Sequence, residues 1–259
     1  MSTARATQEL GEVLSPSQVN TFLTCPAKWY FRYLVGLNEP ATGSLALGSA
    51  FHATLAANFR HKISAKQDAA VDEMQALFAE EFALAMKEAE LRDDEDADEL
   101  ESIGTTLIAV YLAEASPSIQ PAAVELEVEG VIGGVRARGF LDLLDTEGRI
   151  IDCKTASRRP NGVSAEYGLQ LATYVMIAPG ASGMCRLDTI TKTKTAQLIQ
   201  QNFKVGPDQR RLVESVFPMV QDAIRDGVYL PHRGSTLCSR RYCGYWRECE
   251  HEFGGRVAD

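Results

Sequence analysis

Three charged residues stand close together in otherwise apolar stretches of the chain. Asp142 lies in Gly139-Phe140-Leu141-Asp142-Leu143-Leu144, and Asp152 and Lys154 lie in Ile150-Ile151-Asp152-Cys153-Lys154-Thr155. Residues 135–144 and 149–155 read as strands separated by the turn Thr146-Glu147-Gly148. A strand points successive side chains to opposite faces, so Asp152 and Lys154 share one face and Cys153 takes the other. A hairpin through Glu147-Gly148 brings Asp142 beside Asp152. Two carboxylates held close repel, and one takes up a proton unless a cation neutralises them. A hard divalent ion does this, and Mg²⁺ favours one or two carboxylates together with water and phosphate oxygens. Such an ion polarises a phosphoryl oxygen and lowers the pKa of a bound water. Lys154 then positions or helps deprotonate that water, or offsets charge on the phosphate. The plainer alternative is a salt-bridged pair at a strand end.

The cysteines form a second constellation. Of six, Cys238, Cys243 and Cys249 fall within twelve residues near the C-terminus. Three soft ligands need a fourth to close a tetrahedral sulfur site, and Cys25 is the candidate. Cys153 is committed to its strand and Cys185 sits in an apolar strand, so both read as buried thiols. Closing so long a loop costs little more than closing a medium one, because the entropy grows with the logarithm of length. Four thiolates suit Zn²⁺ or an iron–sulfur cluster. Spacing alone does not choose between them, nor does it exclude thiols that are merely structural or reactive.

These residues need elements to hold them. Ser15-Pro16-Ser17-Gln18 supplies an N-cap with Pro at the first helical position. Helices follow near Gly48 through Phe59, over 69–86 and over 103–115, with apolar residues every three or four positions. After Pro121 the period changes to two, as Val124, Leu126 and Val128 alternate with Glu125, Glu127 and Glu129. Gly133-Gly134 marks a hairpin. Residues 166–177 and 208–225 read as helices, and 185–191 and 196–203 as strands. The expectation is an α/β protein, a mixed β-sheet core flanked by helices on both faces.

The chain has 259 residues, 45% of them hydrophobic and 24% charged, as in an ordinary folded protein. That excludes a disordered or fibrous chain. No apolar run reaches the about 18 residues of a membrane helix. Residues 1–10 lack an apolar leader segment, so a cytoplasmic location and reduced thiols are expected. Net charge is −9, unevenly spread: residues 186–259 carry +3 and the rest −12. The acidic run Asp93, Asp94, Glu95, Asp96, Asp98, Glu99 and Glu101 reads as a solvated helix face or loop. Lys192 and Lys194 alternate with threonines and are expected to share a face, where they could meet phosphates. Tyr242, Tyr245 and Trp246 either stack on unpaired bases or pack within the cysteine segment.

The stretches Gly139-Phe140-Leu141-Asp142 and Ile151-Asp152-Cys153-Lys154-Thr155 resemble the PD-(D/E)XK nuclease superfamily, most of all the RecB-like and AddB-like branch that includes CRISPR-associated adaptation nucleases. Other matches follow in the same order over residues 14–249. Ser15 to Gln18 with Cys25-Pro26 and Tyr30-Phe31-Arg32-Tyr33 is similar to the family's opening helix, Gly48 to His52 to its Gly-x-x-x-His helix, and Gln170-x-x-x-Tyr174 to its post-core helix. Two positions depart from the pattern: Leu141 stands in place of Pro, and Asp152 in place of the commoner Glu.

The resemblance implies a restriction-endonuclease-like fold. A flexible N-terminus over 1–13 would precede a single nuclease domain over 14–259, made of a helical part (14–120), a catalytic sheet core (121–205) and a C-terminal helix with an iron–sulfur segment (206–259). It implies Mg²⁺ or Mn²⁺ held by His52, Asp142, Asp152 and the Cys153 carbonyl, with Lys154, Gln170 and Tyr174 completing the catalytic set. Glu125 matches an acidic position on the preceding strand. A [4Fe–4S] cluster would be held by Cys25, Cys238, Cys243 and Cys249, and nucleic acid would be met by Lys192 and Lys194. The implied activity is a metal-dependent DNA nuclease, an exonuclease, acting in repair, recombination, phage DNA processing or CRISPR adaptation. The alternative is a non-catalytic iron–sulfur DNA-binding or assembly subunit that keeps the fold. The chain has no G-x-x-x-x-G-K-[ST] stretch, so a helicase motor would be a separate partner, as would CRISPR adaptation proteins.

Overall fold

The computed structural model describes residues 11–259. The expected flexible N-terminus therefore lies almost wholly outside the described residues; Val13, its last position, opens a strand. In chain order the elements are β1 (Val13–Leu14), α1 (Pro16–Thr24), α2 (Pro26–Trp29), a π-helical turn (Tyr30–Val35), β2 (Ala41–Thr42), α3 (Gly43–Ala65), α4 (Val71–Ala85), β3 (Ala89–Glu90), α5 (Ala97–Glu114), β4 (Pro121–Ile132), β5 (Val135–Asp145), β6 (Ile150–Ala156), α6 (Ala165–Ile177), β7 (Met184–Thr191), β8 (Leu198–Lys204), α7 (Pro207–Arg225) and α8 (Trp246–Phe253). The described residues group into two compact units. One holds Pro40–Val128 and Phe140–Gly206; the other holds the chain up to Glu39, Glu129–Gly139 and Pro207–Asp259. None of the described helices is long and apolar enough to cross a membrane.

In the first unit the second half of β5 runs antiparallel to β6, with Leu143 opposite Ile151 and Leu144 opposite Ile150. The hairpin closes because Asp145 accepts hydrogen bonds from the backbone of Glu147 and Arg149, an Asx-type turn. Gly148 completes it at φ 73°, where an added Cβ would collide with the Gly180 carbonyl. Strand β6 pairs in parallel with β7, from Ile150 opposite Cys185 to Ala156 opposite Thr191. A parallel pair needs a crossover, which α6 supplies. Strand β8 returns antiparallel to β7, so the sheet is mixed, as the sequence predicts.

Apolar periodicity in α3, α4 and α5 produces one buried cluster in which Phe51, Phe59, Phe78, Phe82, Leu107 and Tyr111 meet Leu143, Ile151, Cys153 and Ile190 of the sheet. These helices thus cover the face to which Ile151 and Cys153 point. Gly104 permits the close packing of α5 on α4, since a side chain there would run into the Phe78 ring. Helix α3 begins five residues before the expected Gly48, because Thr42 caps it by accepting from the Leu45 N–H. The acidic run does more than meet solvent. The Glu95 carboxylate accepts from the Gly43 and Ser44 N–H groups at the start of α3, and Asp96 N-caps α5 by accepting from the Glu99 N–H. Burial would raise the Glu95 pKa, but the Arg92 N–H together with these donors at the start of α3 holds it below its usual value.

In the second unit β1 pairs in parallel with the first half of β5, Val13 opposite Arg136 and Leu14 opposite Ala137. Ser15 caps α1 through the Gln18 N–H at 3.1 Å, with Pro16 at the first helical position. Cys25 sits in extended backbone between α1 and α2. The following aromatic residues build a ring cluster: Trp29 stacks on Tyr229 at 5.9 Å, and Phe31 on Tyr245 at 5.9 Å.

Candidate functional site

The β5–β6 register continued by one residue puts Asp142 opposite Asp152, which is why two acids ten residues apart in sequence face one another. The Asp142 Oδ2 accepts from the Cys153 N–H at 2.8 Å, and His52 Nδ1 of α3 lies 3.5 Å from the same oxygen. Asp152 is 3% exposed; its Oδ2 lies 2.7 Å from Lys154 Nζ, and its Oδ1 accepts from Gln170 Nε2 at 3.1 Å. Gln170 in turn lies 3.3 Å from the Tyr174 hydroxyl. His52, Asp142, Asp152, Lys154, Gln170 and Tyr174 are therefore brought together from α3, two strands and α6. Gln170 and Tyr174 reach the strands because residues four apart share a helix face.

The electrostatics of this group are unbalanced in a specific way. Burial pushes the Asp152 carboxyl up to about 6; Lys154 opposes that rise and Asp142 adds to it. Burial would also raise Asp142, but His52 and Lys154 hold it below the usual range. His52 loses by burial and gains more from Asp142, so its pKa is raised. Burial acts to lower Lys154, but the two carboxylates outweigh it and keep the side chain an ammonium. One lysine and one imidazole thus do not fully satisfy the buried Asp152 and the half-buried Asp142, and a further cation would lower the cost.

Beside the acids is a small cavity of about 20 Å³, lined by His52, Glu125, Asp142 and Cys153 among apolar neighbours. It is roomy enough for about one water. Glu125 reaches it from β4 with φ 47°, an uncommon left-handed backbone for a non-glycine residue inside a strand, and it pairs with Arg60 of α3. The alternation across 124–129 nevertheless holds, with Glu125, Glu127 and Glu129 exposed and Val124, Leu126 and Val128 more covered.

These are the donors a hard divalent ion takes: two carboxylates, an imidazole and a strand carbonyl. The donor set fits. Its present spacing does not, since among the described residues no group of three or more His, Cys, Asp or Glu stands ready to hold a metal ion. Asp142 is turned to the Cys153 amide and Asp152 to Lys154.

The remaining sequence expectations fare differently. Lys192 and Lys194 do not share a strand face. The strand ends at Thr191, where the Thr193 N–H turns back to the Thr191 carbonyl. Lys192 is half-buried, with Nζ 3.4 Å from the Ser44 carbonyl, and burial lowers its pKa. Lys194 is exposed beside Glu99 at 3.6 Å. Tyr167 and a network behind the strand escaped the sequence reading. Lys154 Nζ lies 5.5 Å from the Tyr167 ring centroid; the spacing 167, 170, 174 on one helix was the available signal. Behind the strand, Tyr111 donates to Asp188 at 3.0 Å and lies 3.1 Å from the Cys153 sulfur, while Arg186 pairs with Asp188 at 2.8 Å. No local pattern announces that network, because its members are scattered over the chain.

In the second unit, Cys25, Cys243 and Cys249 pack in one cluster with Phe31 and Tyr245. Burial pushes the Cys249 thiol up to about 11, with Arg233 opposing and Cys25, Cys243 and Cys238 adding to the rise. The backbone N–H of His232 points to the Cys25 sulfur at 3.4 Å. Soft donors brought this near to Cys249 suit a thiophilic cation or cluster; as at the acids, no group among the described residues stands at ligand spacing.

Comparison with known proteins follows the same line. No curated protein matches the chain. A crystal structure of a candidate exonuclease from Eubacterium rectale is 13% identical over 95% of this chain and 90% of that one, with a TM-score of 0.58. At that identity the likeness bears on the fold. The structure of SSO0001 is 14% identical over 88% of this chain and 93% of that one, with a TM-score of 0.37, too loose a likeness to bear on it. The profile of the PD-(D/E)XK nuclease superfamily matches residues 13–250, nearly the whole chain, in keeping with the mixed sheet and its facing acids, and the chain belongs to that superfamily.

Proposed function

We propose that the chain is a DNA nuclease, an exonuclease of the RecB-like branch, that hydrolyses phosphodiester bonds with Mg²⁺ or Mn²⁺. The observation that carries this is the meeting of Asp142, Asp152 and Lys154 at the β5–β6 pair, with His52 facing Asp142 from α3. Asp142, Asp152, His52 and the Cys153 carbonyl would hold the ion. When bound, a divalent ion supplies a Lewis acid for the phosphate and a nucleophilic water at neutral pH.

The chain's own groups do the rest. Lys154 stays protonated between its two acids, so it acts as a donor that orients the water or offsets charge building on phosphoryl oxygens, not as the base. Gln170 holds the Asp152 carboxylate from the α6 side, and Tyr174 holds Gln170. Tyr167 backs the ammonium. Outward motion of Lys154 toward a phosphate frees Asp152 Oδ2, the oxygen it now engages.

For the cysteine unit we infer a [4Fe–4S] cluster on Cys25, Cys238, Cys243 and Cys249. The support is the packing of Cys25, Cys243 and Cys249 in one cluster, with the nearby Cys238 also acting on Cys249, and the sulfur-directed N–H of His232. Its role is structural, joining residue 25 to the C-terminal segment.

The test is a digest of end-labelled single- and double-stranded DNA with wild type and Lys154→Ala. Wild type should cleave with Mg²⁺ or Mn²⁺ and stop in excess chelator. The variant should keep its circular dichroism and lose about 100- to 1,000-fold in rate, the usual effect of removing a donor aimed at developing charge. Cleavage undiminished in chelator, or an unimpaired variant, overturns the proposal.

A further inference from the structure

The cysteine segment carries a feature that neither a nuclease centre nor a metal cluster requires. Residues 231–247 hold Arg233, Arg240, Arg241 and Arg247 and no Asp or Glu, in a chain of net charge −9. Arg233 is engaged by backbone, donating to the Gly254 carbonyl at 2.7 Å. The other three keep company with aromatic rings. The guanidinium carbons of Arg240 and Arg247 lie 4.6 and 5.0 Å from the Trp246 ring centroid. That of Arg241 lies 5.7 Å from the ring of Tyr242, which is 51% exposed.

The three aromatics of this segment have divided roles. Tyr245 is 3% exposed and its hydroxyl donates to the Leu37 carbonyl, so it belongs to the interior. Tyr242 and Trp246 are left outside that core, half-covered or exposed, each with arginine on its ring. Arg240 is also near carboxylates, at 3.8 Å from Glu250 and 3.4 Å from Asp259, and Asp259 is itself exposed, a contact that a polyanion can displace.

We infer that this segment is a platform for single-stranded DNA, with bases stacking on Tyr242 and Trp246 and phosphates meeting Arg240, Arg241 and Arg247. Stacking planes interleaved with guanidiniums match the chemistry of an unpaired strand, whose bases expose their faces and whose backbone carries one charge per residue. A duplex hides its base faces and could use only the charges. In an acidic protein, a local run of arginines is also what lets a polyanion approach at all. The inference rests on the reading of DNA as substrate and adds where, and in what form, the strand is held.

The chain has two tryptophans, and the other, Trp29, is fully buried, so the response of Trp246 can be read directly. Full-length protein carrying Lys154→Ala, to stop cleavage, is titrated with short oligo(dT), with duplex and with oligo(U), following tryptophan emission and the anisotropy of a labelled strand. Oligo(dT) should quench the emission and bind more tightly than duplex. Trp246→Phe should abolish the quench while Trp29 still emits. Tyr242→Ala should weaken oligo(dT) binding by about fivefold to a hundredfold. Arg247→Gln should lower the slope of log affinity against log salt by about 0.7. Both side chains are exposed, so these variants should fold. A quench that survives Trp246→Phe, affinity unchanged in Tyr242→Ala and Arg247→Gln, or preference for duplex or oligo(U), overturns the platform. If wild type cleaves DNA while Trp246 stays silent, the platform is wrong and the nuclease reading stands; if the protein neither binds nor cleaves DNA, both fall.

Discussion

The strand pair with Asp142, Asp152 and Lys154 and the segment with Cys238, Cys243 and Cys249 solve the same problem, holding groups that repel, by opposite means. At the strands, regular hydrogen bonding fixes the backbone, and each acid already has partners: the Cys153 N–H and His52 for one, Lys154 and Gln170 for the other. The strands rest on a continuous apolar cluster reaching three helices. The cysteine segment has one short helix, α8, and little interior of its own. Past Arg225 its buried apolar residues are Tyr245, Cys249 and Val257, while Val228, Leu230 and Leu237 are exposed at 44, 70 and 53%. A site on strands could wait for the proposed ion in a folded scaffold. A segment with so little core would need the proposed cluster in order to be a scaffold.

That contrast breaks most visibly at Cys249. Removing one thiol from a four-sulfur set should remove the ligand altogether, and metal-held segments owe about 10 kcal/mol to such binding in favourable cases. Cys249→Ser, purified without oxygen, should be colourless where wild type is brown, and residues past Arg225 should become open to protease and fast in hydrogen exchange. Exchange in β6 and β7 should be unchanged. Equal protection of the C-terminal segment in both proteins would show that its few aromatic contacts suffice and would erase the distinction.

How much of this could be read from the sequence divides along the same line. The alternation and turn residues of 135–155 specify a hairpin, and its register follows, so the meeting of Asp142 with Asp152 was legible. Gln170 and Tyr174 were legible as a four-residue step on a helix whose period is clear. Lys192 and Lys194 misled, because Thr-Lys alternation has strand character only while a neighbour strand continues, and β7 turns after Thr191. Glu95 was hidden for a different reason: it caps a helix that starts 52 residues earlier, a contact no local window contains. The Tyr111, Arg186 and Asp188 network behind Cys153 is of the same long-range kind. The three aromatics near the cysteines looked alike in sequence, and burial alone separates Tyr245 from Tyr242 and Trp246.

The scaffold side of the comparison is sharpened by a change that touches no charge. In Gly104→Ala the new methyl meets the Phe78 ring between α5 and α4. Overpacking of this sort costs about 1–3 kcal/mol, which for a chain of this size lowers Tm by roughly 2–4 °C per kcal/mol. Calorimetry or thermal circular dichroism measures it, and Cys249→Ser should not alter the increment if the two regions are independent. An unchanged Tm would mean that the helices part freely and that the unit is looser than its packing implies.

The smallest effect concerns how that unit keeps charge without any ligand. At the far end of α3, Lys62 donates to Asp68 at 2.9 Å and to the Ser116 carbonyl at 2.7 Å, and Asp68 also accepts from Asn58 at 2.8 Å. Burial would raise the Asp68 pKa, but Ser116, Asn58 and Lys62 together pull it below the ordinary 3.8. A carboxylate whose folded pKa lies below its unfolded value stabilises the fold fully above the unfolded value, and the contribution fades as pH falls through the folded one. Asp68→Asn should therefore cost about 1 kcal/mol at neutral pH, the scale of a partly exposed pair, and progressively less as the solution is acidified below pH about 4. Urea titrations of both proteins at neutral and acid pH give the difference. A deficit that persists undiminished in acid would mean that Asp68 acts through shape and hydrogen bonding rather than charge. The far end of α3 would then owe its stability to packing and hydrogen bonding alone.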